Sequence, residues 1–117
     1  MKTNLTQKAG FTLVEIMIVC AIIALLSAIA IPAFAKQRAF SRRSICMANL
    51  KQIESAKTVW GQENRKGNSD IPVDTDLFGS TNYLRSKPAC PGDGIYSLQQ
   101  IDTKASCSLA TIEGHTL

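Results

Sequence analysis

The side chains best able to do chemistry in this sequence are four cysteines, one histidine and an isolated glutamate, Glu15. Cys46, Cys90, Cys107 and His115 could supply a tetrahedral Cys3His zinc site, because thiolate and imidazole are common zinc donors. Against this, none of them forms a tight C-x2-C pair, and His115 lies in the last few residues, where a lone histidine is usually solvated. The expectation is therefore no metal and no cofactor. The same thiols offer disulfides. A Cys90–Cys107 bond would staple the C-terminal region, while a bond from Cys46 to either would pin that region to an upstream segment, and spacing does not choose among them. Cys20 sits in an apolar run and should behave as a small apolar side chain.

Catalysis has little to draw on. There is no H-E-x-x-H, no G-x-S-x-G and no phosphate-cradling glycine loop. Pro91, Gly92, Asp93 and Gly94 are turn residues, and nothing nearby supports Asp93 as a calcium ligand. No enzyme activity is expected.

The element around which the chain is organised is the stretch from Gly10 to Pro32. From Ile16 to Ala35 no charged side chain occurs. As a helix rising about 1.5 Å per residue, this run spans roughly 30 Å, the thickness of a bilayer's hydrocarbon core. It is apolar all round, and a helix in lipid satisfies its own backbone. Glu15 stands at its edge, and an ionisable group inside such a segment is a functional candidate. Pro32 falls within a pattern that stays helical on both sides, so it should kink or open the helix.

This stretch resembles the N-terminus of type IV prepilins and of the pseudopilins of type II secretion. Lys2, Lys8 and Gly10 match the short leader, and Phe11, Thr12, Leu13, Val14 and Glu15 match the start of the mature chain, followed by the apolar run and Pro32. The resemblance implies cleavage between Gly10 and Phe11 by a prepilin peptidase, then N-methylation of Phe11. It implies assembly roles for Glu15 and Pro32, a helical homo-oligomeric filament, an inner-membrane assembly platform as partner, and lipid contact before assembly. The new amine at Phe11 would be cationic, and Glu15 could pair with that amine on a neighbouring copy; otherwise it snorkels to the headgroups. In assembled pili of this family the segment before the matching proline, here Ala24 to Ile31, can lose helical structure. Many type IV pilins also close a C-terminal loop with a disulfide, which favours Cys90–Cys107, a bond contributing about 3 kcal/mol.

Charge and topology add constraints. The net charge is +4, and loss of Lys2 and Lys8 with the leader lowers it to +2, too little to argue for nucleic acid, whose involvement stays open. Lys2 and Lys8 keep the N-terminus cytoplasmic by the positive-inside rule. Lys36, Arg38, Arg42 and Arg43 follow the span and oppose translocation, but the resemblance places the C-terminus outside: a single-pass inner-membrane protein, then an extracellular or periplasmic filament. The basic cluster otherwise reads as a solvated face, or as a contact for acidic groups or headgroups.

Beyond the span the fold class expected is α+β: a long N-terminal helix, kinked at Pro32, packed against a small antiparallel sheet. Cys46, Leu50, Ile53 and Trp60 fall on one helical face. Lys57 interrupts that stripe, with its head expected in water, and Lys51 and Glu54 are spaced to pair. The helix should end near Lys66–Gly67. Asp74 or Thr75 could cap a short helix over Asp76 to Leu84. Ile95 to Ile101 and Ser106 to Ile112 read as two strands. The expected divisions are a leader, 1–10; a transmembrane and filament-core helix, 11–35; an amphipathic helix, 36–66; and a loop and sheet region, 67–117.

The function expected is a structural subunit of a type IV pilus-like filament. A type II secretion pseudopilin is the alternative, set back by the lack of an evident acidic calcium loop. A second alternative is a single-pass membrane binding protein that never polymerises, which would need neither Gly10 nor Glu15.

Overall fold

The computed structural model describes residues 9–117, so Lys2 and Lys8 of the expected leader lie outside the described residues. The element order is α1 (Leu13–Glu63), α2 (Asp74–Leu77), β1 (Tyr96–Ser97), β2 (Ser106–Cys107) and α3 (Ala110–Glu113). The chain divides into two compact units, Met1–Gln37 and Arg38–Leu117.

In the first unit, α1 begins with a reciprocal cap. The Thr12 amide donates to Glu15 Oε2 at 2.8 Å, and the Glu15 amide donates to Thr12 Oγ1 at 3.3 Å. This is a capping box, in which two amides at the helix start find side-chain acceptors. Ala24 to Ile31 is helical here, and Pro32 sits inside the helix. Proline has no N–H, so the Ala28 carbonyl lacks its usual helical donor. The apolar side chains of this stretch point outward on every side: Ile16, Val19, Ile23, Leu26, Ile29 and Phe34 are all exposed. Such a helix is long and apolar enough to cross a membrane.

In the second unit the core assembles on one face of α1. Cys46, Leu50, Ile53, Ala56 and Trp60 are buried and cluster with Leu77, Cys90, Tyr96, Leu98, Ala105 and Cys107. The expected stripe is therefore the packing face. Lys57 departs from expectation: it is fully buried, not turned to water. Its ammonium donates to the carbonyls of Leu98 and Thr103 and pairs with Glu54 at 3.1 Å. Three acceptors match its three N–H donors, so desolvation is offset. Glu54 thus pairs with Lys57 and not Lys51, and its other contact is with the Ala105 amide at 2.8 Å.

Helix α1 ends at Glu63, before the expected Lys66–Gly67. The Lys66 amide donates to Gly61 O at 2.9 Å and the Arg65 amide to Gln62 O at 3.4 Å, with Arg65 at φ 51°. This is a Schellman turn with arginine in the left-handed position that glycine normally takes. The expected helix over Asp76 to Leu84 is cut to the single turn of α2. Asp76, and not Asp74 or Thr75, supplies the cap, accepting from the Val73 amide at 3.0 Å.

The two expected strands shrink to two residues each, antiparallel, with Tyr96 opposite Cys107 and Ser97 opposite Ser106. The first is stopped by Gln99 at φ 57°, which cannot continue an extended run. The second gives way to α3. Its Ala110 and Glu113 are helix formers, so the apolar Ile112 did not indicate a strand.

Lys57 generates a stability prediction. Lys57→Ala leaves two carbonyls and Glu54 without their cation and should lower unfolding free energy by about 3 kcal/mol. Denaturation of the full chain in detergent, followed by the fluorescence of Trp60, measures it. A loss below about 0.5 kcal/mol would contradict the role given to this side chain.

Candidate functional site

Two places in the chain carry the residues singled out above. The first is the N-terminal segment. Gly10 and Phe11 precede α1 in non-helical chain, both are exposed, and among the described residues no heavy atom would lie within 4 Å of a Cβ at Gly10. A protease can therefore approach this backbone. Glu15 is exposed and occupied locally by the Thr12 cap. Cys20 is an exposed thiol on the apolar helix.

The second place lies wholly in the second unit. Cys46 comes from α1, Cys90 from the loop before β1, Cys107 from β2, and His115 from the segment after α3. All four are buried, and one ligand atom from each lies within 4.8 Å of the others. Cys90 Sγ is 3.8 Å from Cys107 Sγ and 3.4 Å from His115 Nδ1. The four cysteines are all thiols, and Asp93 is not part of the group. His115 is thus buried, not solvated as its terminal position suggested.

Local chain geometry aims these side chains. The loop Cys90-Pro91-Gly92-Asp93 closes as a turn, the Asp93 amide donating to Cys90 O at 3.0 Å, with Asp93 at φ 63°. At Gly94 a Cβ would lie 2.5 Å from Cys107 Sγ and 3.1 Å from Cys90 Sγ, so only glycine lets the backbone pass this close to both sulfurs. Gly114, at φ 68°, ends α3 in the left-handed conformation and turns His115 back into the core. The Arg43 guanidinium packs over Gly114.

A further ring of groups surrounds the sulfurs and the imidazole. Asn49 Nδ2 donates to Tyr96 Oη at 3.1 Å, and the Tyr96 hydroxyl in turn donates to Cys46 Sγ at 3.4 Å. His115 Nε2 lies 3.1 Å from Glu113 Oε2 but not in hydrogen-bonding geometry, so among the described residues it is a buried nitrogen without a hydrogen-bond partner. Burial alone would raise the Cys90 thiol. The backbone N–H groups of Gly92 and Gly94, with His115 and Cys46, outweigh that and bring it down to about 7. Burial pushes Cys46 up to about 12, with Tyr96 opposing and Cys107 and Cys90 adding to the rise. Burial and the Cys46 contact raise Tyr96 as well, keeping its phenol a donor. Asn49, Tyr96 and Glu113 carried no sequence signal as site residues; the loop glycines were legible only as turn formers.

With its outward-facing apolar helix, the first unit defines a class: a protein anchored through an N-terminal helix that needs lipid or other helices around it. The sequence comparisons narrow that class. Residues 5–31 match the prokaryotic N-terminal methylation motif. The type IV major pilin protein PilA of Myxococcus xanthus (strain DK1622) is 49% identical over 60 residues, 50% of this chain and 27% of that protein. The chain thus spans about a quarter of the length of this curated relative. The motif and the similarity together support the type IV pilin superfamily and do not favour the alternatives. They confirm neither a role in type II secretion nor a disulfide. No solved structure matches the chain.

Gly94 makes the cluster's geometry testable. Gly94→Ala forces a methyl group against two sulfurs and should cost about 1–3 kcal/mol of stability through overpacking. It should also speed modification of Cys90 and Cys107 by a thiol reagent in the folded protein. Unchanged thiol reactivity and an unchanged unfolding midpoint would contradict the close approach.

Proposed function

We propose that this chain is a structural subunit of a type IV pilus-like filament, not an enzyme. It is made as a prepilin, cleaved between Gly10 and Phe11, methylated at Phe11 and polymerised through the helix over 11–35. The observation that carries this reading is the all-round exposure of apolar side chains on that helix. Lipid covers them before assembly and the helices of other copies cover them afterwards, so little apolar area need meet water in transit. The methylation motif and the similarity to a major pilin support the same reading.

The remaining roles follow from that reading. Lys2 and Lys8 hold the leader in the cytoplasm, the chain crosses the inner membrane once, and the second unit lies outside. The prepilin peptidase and an inner-membrane assembly platform are its partners. Glu15 has two duties. Within one chain it caps α1 together with Thr12. In a filament core its carboxylate meets the Phe11 amine of an adjacent copy, where removal of one partner leaves a buried charge at a cost of roughly 3–5 kcal/mol. Pro32 leaves the Ala28 carbonyl without a helical donor, which makes 24–31 the stretch able to open during packing.

The two duties of Glu15 separate by mutation. Thr12→Ala removes only the cap, a loss of about 1 kcal/mol. Glu15→Ala removes cap and charge together. Membrane and sheared-filament fractions are compared for both variants and for Glu15→Asp. Thr12→Ala should assemble close to wild type, Glu15→Asp should be intermediate, and Glu15→Ala should be cleaved and membrane-inserted but absent from filaments. Normal filament yield from Glu15→Ala would remove the pairing role, and equal losses in Thr12→Ala and Glu15→Ala would reduce it to helix capping.

A further inference from the structure

We propose that Cys46, Cys90, Cys107 and His115 form a closed, four-coordinate structural zinc site that ties the C-terminal region to α1.

Two of the six donor–donor distances match the edges of a tetrahedron, and all six lie within 4.8 Å. With Zn–S bonds of about 2.3 Å, neighbouring sulfurs stand about 3.8 Å apart, and with Zn–N of about 2.0–2.1 Å a sulfur and a nitrogen stand about 3.6 Å apart. The structure has 3.8 Å between Cys90 Sγ and Cys107 Sγ and 3.4 Å between Cys90 Sγ and His115 Nδ1. A disulfide requires its sulfurs at about 2.05 Å. Donor arithmetic points the same way. Three buried thiols cannot all pair, so any disulfide leaves one thiol over and does not use the imidazole. One tetrahedral metal uses all four donors and leaves no open position, the mark of a structural site.

The surrounding groups favour ligating atoms. Asn49 donates to the Tyr96 oxygen, which directs the Tyr96 proton at Cys46 Sγ and makes that sulfur an acceptor. His115 presents Nδ1 to the sulfurs and Nε2 to the Glu113 carboxylate. A metal-bound histidine commonly donates its other N–H to such a carboxylate, and a small rotation of the exposed Glu113 would complete that bond. Gly94 leaves room beside two of the sulfurs where a side chain would not fit. The donor set of three thiolates and one imidazole suits zinc, and carboxylate-preferring calcium or magnesium does not match it.

The chemistry balances without a redox step. One Zn2+ enters, the three thiols release up to three protons, and the ligated centre carries a charge of −1. Arg43, packed over Gly114, brings a cation to the residue next to His115. This assignment is independent of the filament reading.

The test uses the full chain purified in detergent without added metal. Elemental analysis should find about one zinc per chain. Exchange with cobalt should give the intense visible bands of a tetrahedral ion and thiolate charge transfer in the near ultraviolet. A strong chelator should lower the thermal midpoint and expose three additional thiols to a reagent. Cys107→Ser and His115→Ala should reduce bound zinc at least tenfold, while Cys20→Ser should leave it unchanged. Glu113→Gln, at an exposed position outside the ligand set, should fold and bind zinc about 10–100-fold more weakly. Three results would overturn the site: a folded chain with less than about a tenth of an equivalent of zinc; zinc retained in Cys107→Ser; or a Cys90–Cys107 disulfide recovered by non-reducing peptide mapping of the native protein.

Discussion

The second unit has very little backbone ladder of its own, so side chains must hold its irregular segments against α1. The sheet is two residues by two, and α2 and α3 are single turns. Two sets of ties do the holding. Lys57 and Glu54 reach from α1 to Leu98, Thr103 and Ala105. Cys46 and Asn49, farther back on the same helix, meet Cys90, Ala89, Tyr96, Cys107 and His115. Between them lies the apolar stripe of Leu50 and Ile53. A domain of this size buries too little apolar surface to be secure without such cross-links, which is why the atoms around Cys46 matter beyond their number.

The first unit works under the opposite constraint. Its described backbone is helical from Leu13 on, lacking one donor at Pro32, and apolar groups are exposed around the whole helix. Its apolar surface is left uncovered. The fold therefore divides its labour along the chain: one part is a single helical run that depends on its surroundings for burial, the other buries its own core and depends on side-chain ties for order. On the filament reading proposed above, the same helix surface exchanges lipid for protein without an intermediate exposure to water.

The legible parts of the sequence were those set by local pattern. The charge-free run from Ile16 to Ala35 and the Cys46–Trp60 stripe give α1 its two surfaces because helical period and hydrophobicity act over short distances. Element ends were less legible. Arg65 takes the left-handed position for which glycine, here Gly67, is the usual residue, and Gln99 breaks a run whose composition is otherwise strand-like. Lys57 escapes the rule that charges seek water because two carbonyl acceptors, Leu98 and Thr103, arrive from distant loops beside Glu54 one turn away. The donor set of three thiols and one imidazole can be named from the sequence, but its assembly at one point is not legible there for the same reason. Its members come from four separate segments, so no short C-x2-C spacing announces them, and a histidine near the chain end looks solvated until Gly114 turns it inward. Glu15 caps α1 through Thr12, a local role beside the pairing that its place at the edge of an apolar run suggests.

The most direct measurement is the N-terminal sequence and mass of the subunit in filaments sheared from cells that express this chain. The first residue should be Phe11, with the mass of one added methyl group on its amine. Filaments built from chains that still begin at Met1, or the absence of this chain from surface filaments altogether, would contradict the reading of the protein as a processed filament subunit.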